Sequence, residues 1–202
     1  WLCRQAHECG AAIALRTSHQ AVPGSNDGLA RLLSSHYQCR GLYGDELVSH
    51  LEKVLITEGE VKEWEWLALA ELIAPKPNSN LRFETPAERY ALVQRTLARI
   101  GVERPLVVFA DNVHWGVESL ELAAHILKFQ VDTPLLFVLT VTDSIMASRP
   151  LEAEALAELQ AVEGVSGLSL EGLDAASMTL LIREMLQLGG DLPDRIQQHV
   201  GG

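Results

Sequence analysis

RPLVVFADNVHWG, residues 104–116, decides how this chain is read. Leu106 to Ala110 form an unbroken apolar run rich in β-forming residues, and the run ends abruptly on Asp111, Asn112, His114 and Trp115. An apolar run without polar alternation suits a strand buried on both faces, the usual condition of strands in a parallel sheet. A carboxylate directly after such a strand has two readings. It caps or opens the following turn, or it sits where open parallel sheets bind ligands, outside the carboxyl ends of their strands.

Working outward, PLLFVLTV (134–141) is a second continuous apolar run, and AAIAL (11–15) is a shorter one. Between and beyond them lie helical patterns: GLARLLSSHY with Asn26 or Asp27 as its cap, DELVSHLEKVLI with Leu47, Leu51, Val54 and Leu55 on one face, and EVKEWEWLALAELIA. Thr85-Pro86 with Glu88 reads as a capping box that opens a helix through Arg99. Further helices are expected over about 119–129, 151–162 and 174–186, with a strand VSGLSL over 165–170. Strands alternating with helices predict an α/β fold with a parallel sheet covered on both faces. The helices of 41–84 read as an insertion between two strand regions.

Charge narrows the function classes. Lys and Arg number 16 against 27 Asp and Glu, a formal charge of −11, which repels nucleic acid and anionic membrane surfaces. Direct nucleic-acid binding and membrane association are therefore not expected. Cys3, Cys9 and Cys39 form no Cys-x-x-Cys pair and have no His at metal-ligand spacing, so a reducing cytoplasm fits best. No apolar run approaches the roughly 20 residues that cross a bilayer. Hydrolase signatures such as Gly-x-Ser-x-Gly are absent from the sequence. WLCRQAHEC before Gly10 reads as the last turns of a helix, and LPDRIQQHV before Gly201 and Gly202 as a short amphipathic one, so the chain reads as a piece of a longer protein.

RPLVVFADNVHWGVESLELAAHIL resembles, without a gap, the Walker B segment of signal-transducing P-loop ATPases of the STAND class, the AAA-like modules fused to bacterial kinases, cyclases and LuxR-type regulators. Asp111, Val113, His114, Trp115, Ser119, Leu120, Glu121 and Leu122 carry the match. TPLLFVLTVTD is similar to the family's next strand, which ends in a polar sensor. GVSGLSLEGLDAASMTLLIREML is similar to its last core strand and the opening of its helical lid, and DRIQQHVGG to the helix before a Gly-Asn-Pro lid motif. The likeness covers 104–202 well and 11–100 only vaguely.

The resemblance implies a three-layer P-loop NTPase-like parallel sheet with helices on both faces. It places a partial ATPase core at 1–172, with 41–84 inserted, and the beginning of a helical lid at 173–202. It implies a Mg-ATP-dependent conformational switch with Asp111 holding Mg²⁺, Thr140 or Thr142 reading the γ-phosphate, and His114 sensing nucleotide state near the γ-phosphate. Fused effector or sensor domains and a nucleotide-dependent oligomer would be its partners. The phosphate loop Gly-x-x-x-x-Gly-Lys-Ser/Thr does not occur in these residues, so weak or no ATP binding is expected of them alone.

Two departures bear on catalysis. Asn112 stands where the family usually has a second acid, and an amide can position water but cannot take its proton. Thr142 stands where relatives often place Arg, so the γ-phosphate would lose a positive charge. Slow turnover and none both remain open for the parent. His114 and Trp115 have a packing reading as well: Trp115 against the sheet, His114 on a loop carbonyl. Two other functions stay in view, a pseudo-ATPase interaction scaffold and an unrelated receiver- or flavodoxin-type domain with Asp111 at the switch point. His7, His19, His36, His50, His125 and His199 are expected on the surface or on helix faces.

Overall fold

The structure is a computed structural model, and it describes residues 2–22, 24, 27–59, 61–77, 79, 81–129, 133–187, 189–190 and 192–200. Asn26, one of the two candidate helix caps, lies outside the described residues. In chain order the elements are α1 (Leu2–Glu8), β1 (Ile13–Ser18), α2 (Gly28–His36), α3 (Gly44–Glu58), α4 (Glu63–Ile73), α5 (Pro86–Ile100), β2 (Leu106–Asp111), a 3-10 turn (Val113–Trp115), α6 (Val117–Lys128), β3 (Leu135–Leu139), α7 (Asp143–Met146), α8 (Pro150–Gln160), α9 (Ala175–Leu186) and α10 (Leu192–Val200).

The expected α/β class is borne out as a three-stranded, fully parallel sheet in the order β1-β2-β3. In register, Leu15 pairs with Val108 and Ser18 with Asp111, while Val108 pairs with Phe137 and Ala110 with Leu139. The local signals act as read. Asp27 caps α2 by accepting from Gly28 N–H at 2.9 Å. Thr85 caps α5 from the residue before Pro86, and Glu88 reaches back to the Glu84 N–H at 3.0 Å. Gly10 follows α1 with φ +66°, a conformation that favours glycine.

Side-chain alternation assigns the two faces of the sheet. Leu15, Leu106 and Val108 share one core with Leu29, Leu33, Leu47, Leu51, Leu55, Leu69, Val93 and Leu97, so α2 to α5 cover that face. The leucines of 41–84, the segment read as an insertion, are thus part of the sheet's own core. Burying each such side chain contributes about 1.5–3 kcal/mol. Further along the same face Ala110, Val113, Leu120, Ala123 and Leu159 join α6 and α8 to β2. On the opposite face Cys3 of α1 packs with Ala12 and Val107, flanked by Ala14 and Phe109. The chain reverses between α1 and β1, with Ala11 and Ala12 N–H groups bonding back to Ala6. The start of α1 therefore lies toward the carboxyl ends of the strands.

The chain forms two compact units, Trp1–Val165 and Ser166–Gly202. The expected start of the lid at 173 falls inside the second. Its helices α9 and α10 are present, with Asp174 capping α9 through the Ser177 N–H at 2.7 Å. The expected strand VSGLSL is not: 165–170 have no regular structure, and Leu168 and Leu170 are 85% and 86% exposed. A six-residue apolar pattern becomes a strand only where another strand pairs with it, and none does so among the described residues. No helix among the described residues is long and apolar enough to cross a membrane.

Candidate functional site

The carboxyl edge of the sheet brings all five sequence-predicted residues together, Asp111, Asn112 and Thr140 in one hydrogen-bonded knot and His114 bonded to the Thr142 N–H beside it. Asp111 ends β2 and faces the same side as Ser18, its partner in register on β1. One step beyond the last β2–β3 pair, the Thr140 hydroxyl donates to the Asp111 carboxylate and accepts the Asn112 N–H at 3.0 Å. Backbone bonds tighten the same junction: Thr140 N–H to Ala110 C=O at 3.1 Å and Val113 N–H to Thr140 C=O at 2.9 Å. The Asp111 carboxylate is therefore not a cap for the following helix. It ties two strand ends, and Oδ2 accepts no hydrogen bond among the described residues.

Asn112 is the pivot of the turn. Its φ of +58° and ψ of +41° are left-handed, a region where Asn is among the few tolerated side chains. Its C=O accepts the Trp115 N–H at 3.0 Å, which closes the 3-10 turn. Strained backbone of this kind persists where its surroundings determine it, and it clusters at functional sites.

His114 is 1% exposed, and its Nδ1 accepts the Thr142 N–H at 3.1 Å. Nδ1 thus carries no proton in this arrangement, and the ring ties the turn after β2 to the chain leaving β3. The expected loop-carbonyl partner is instead a loop amide. The side chain of Thr142 is exposed and makes no hydrogen bond among the described residues, so Thr142 joins the site by its backbone alone. Trp115 is half-buried with the Arg149 guanidinium 5.3 Å from its ring centre, and Arg149 also pairs with the buried Glu152 of α8.

Compared with known proteins, the chain matches no family model, no curated protein and no solved structure.

One member of the site escaped the sequence reading. His19, expected on the surface, is 5% exposed and lies just past β1. Its N–H donates to the Asp111 C=O at 2.9 Å, and its Nε2 is 2.7 Å from the Ser119 hydroxyl in the first turn of α6. Burial lowers its pKa, opposed by Asp27 and Glu118 and assisted by His114. A histidine between a strand and a loop has no sequence pattern that separates it from a surface one. The only hint was position, a few residues beyond the apolar run that ends at Leu15.

Arg31 of α2 donates to Ser18 Oγ at 2.8 Å and has no acidic partner among the described residues. The edge thus reads Ser18, Asp111, Thr140 across the sheet, a carboxylate between two hydroxyls with a guanidinium at one end. Among the described residues no three His, Cys, Asp or Glu side chains gather to cage a metal. A cation here would have a single protein carboxylate, which suits Mg²⁺ that keeps its water and phosphate ligands and does not suit an all-protein cage.

Proposed function

We propose that this chain carries the Mg²⁺-binding strand of a nucleotide-dependent conformational switch, an AAA-like P-loop ATPase core of the STAND signalling type, acting on effector or sensor domains of the same polypeptide. The observation that carries the proposal is the Asp111–Thr140 knot at the carboxyl edge of the central parallel strand, where open α/β sheets take their ligands. In this reading Asp111 would hold Mg²⁺, Asn112 would position water, and Thr140 would report the γ-phosphate to the Asp111 turn. Bound Mg²⁺ would supply charge neutralisation for the phosphates.

The unpaired edge of β3 supports the same reading. Leu136 is 51% exposed, no described strand pairs with the outer side of β3, and β3 has no charge or Pro to guard it. A further parallel strand bearing a phosphate loop would find its hydrogen-bonding partners there. Asn112 and the exposed Thr142 favour a second reading, a pseudo-ATPase scaffold that keeps the fold and not the turnover. Phosphate release by the full-length gene product separates the two. Steady release that disappears in Asp111→Ala supports the switch with turnover, and MgATP binding without release supports the scaffold. Absence of MgATP binding refutes both nucleotide roles.

A further inference from the structure

His19 occupies a space that two glycines leave for it. A Cβ on Gly116 would stand 2.0 Å from His19 Nδ1 and 2.4 Å from Cε1, and a Cβ on Gly28 would stand 2.9 Å from Cε1. Gly28 has φ +52°, so its backbone favours glycine in any case. Gly116 does not: its φ of −153° is extended backbone open to any residue. The imidazole is therefore the reason position 116 lacks a side chain. Three contacts then run outward from the same residue. The backbone N–H holds the Asp111 carbonyl at 2.9 Å, and of the ring nitrogens Nε2 meets Ser119 Oγ at 2.7 Å and Nδ1 lies 3.8 Å from Asp27, the cap of α2. Glu118, beside Ser119, is itself tied to Arg89 of α5 and lies 3.5 Å from the Leu29 N–H.

These contacts bracket the turn that presents Asp111. Residues 111–116 leave β2, cross a left-handed Asn112 and enter α6, and His19 contacts the turn at its first residue, at its last and in the helix beyond. We propose that His19 is a positioning residue whose imidazole fixes the Gly116–Ser119 end of the turn, while its backbone N–H bonds the Asp111 end, and that the packed ring so presets the Asp111 carboxylate for its cation. The second half of the proposal rests on the reading of Asp111 as a Mg²⁺ ligand. The first half does not.

Size complementarity gives the test. Gly116→Ala forces the new methyl into the ring, whereas His19→Ala leaves a hole that can receive it. The double variant His19→Ala/Gly116→Ala is expected to recover unfolding resistance relative to Gly116→Ala alone, which independent sites do not do. Backbone amide spectra supply the second readout: His19→Ala shifts the signals of 111–119, and His19→Gln, which keeps a polar side chain toward Ser119, restores part of the pattern. Mn²⁺, added as a paramagnetic probe, is expected to broaden the Asn112 and Thr140 amides of the wild type at concentrations several-fold lower than in folded His19→Ala or His19→Gln.

The outcomes separate cleanly. If Mn²⁺ broadens nothing near Asp111 in the wild type, the metal reading of Asp111 fails, while the clamp still stands on the shifts and the size rescue. If the 111–119 amides stay in place in His19→Ala, or the double variant is no better than Gly116→Ala, the clamp is overturned. If His19→Ala does not fold, Gly116→Ala against the double variant and the His19→Gln spectrum decide it.

Discussion

Thr140→Val is the sharpest perturbation of the strand-end knot, because it changes a hydroxyl to a methyl at nearly constant shape. The hydroxyl donates to the Asp111 carboxylate and accepts the Asn112 N–H at 3.0 Å. A hydrogen bond to a charged group contributes about 1.5–3 kcal/mol and a neutral one about 1, and the partners left behind lose their compensation. Both groups are only partly buried, so water recovers some of the loss. The expected cost is about 2–3 kcal/mol, or roughly 4–12 °C in the unfolding midpoint for a domain of this size. Scanning calorimetry at pH 7 measures it, with Thr140→Ser as the variant that retains the hydroxyl and Thr142→Val as the control. The Thr142 side chain is exposed and unbonded among the described residues, so its removal is expected to cost less than about 0.5 kcal/mol. Equal midpoints for Thr140→Val and the wild type, or equal losses for Thr140→Ser and Thr140→Val, would refute the reasoning.

Further outcomes follow from other parts of the molecule. Leu51→Ala, at a side chain with no exposure in the core shared with β1 and β2, is expected to cost about 2–5 kcal/mol and to keep a single unfolding transition; loss of protection confined to 41–84 in hydrogen exchange would show that segment to be separate after all. Burial lowers the pKa of His36, so below about pH 6.5 the unfolded chain binds the proton more readily than the folded one; stability is then complete above that pH and declines as pH falls, and His36→Gln should flatten the decline in urea titrations. Asn112→Ala should lose about 1 kcal/mol at its left-handed φ, whereas Asn112→Asp should keep the fold and raise phosphate release by the full-length protein, an increase that must appear if the missing proton acceptor limits turnover. Arg149→Ala should shift the Trp115 fluorescence and destabilise by about 1–3 kcal/mol, since it leaves Glu152, 6% exposed, without its cation.

The apolar runs 106–110 and 134–141 were legible as parallel strands because each is continuous; β2 has the two-sided burial that such a run signals, whereas β3 spans only 135–139 and leaves Leu136 51% exposed. Asp27 and Thr85 announced their helices because capping is local chemistry. VSGLSL misled for the opposite reason. Its pattern is that of a strand, but a strand is completed by a neighbour, and the exposed Leu168 and Leu170 have none described. The 41–84 helices read as an insertion because sequence order separates them from the strands, whereas the core that unites them with Leu15 and Val108 is a property of packing. At the site, Asp111 was visible from its place at the end of a strand. The Thr140 bond, the His114 contact to the Thr142 amide and the His19 clamp join residues 28 to 100 positions apart, and no spacing rule reaches that far. Gly116 was visible as a glycine, but only the ring lying against it explains why.

The most direct test of Asp111 as the Mg²⁺ carboxylate is the affinity of the full-length gene product for ATP, measured with and without Mg²⁺ in the wild type and in Asp111→Asn. The expected result is Mg²⁺-enhanced binding in the wild type that falls tenfold or more in Asp111→Asn, about 1.4 kcal/mol per tenfold, with no difference between the two proteins when Mg²⁺ is absent. Identical Mg²⁺ dependence in the two proteins would contradict the assignment.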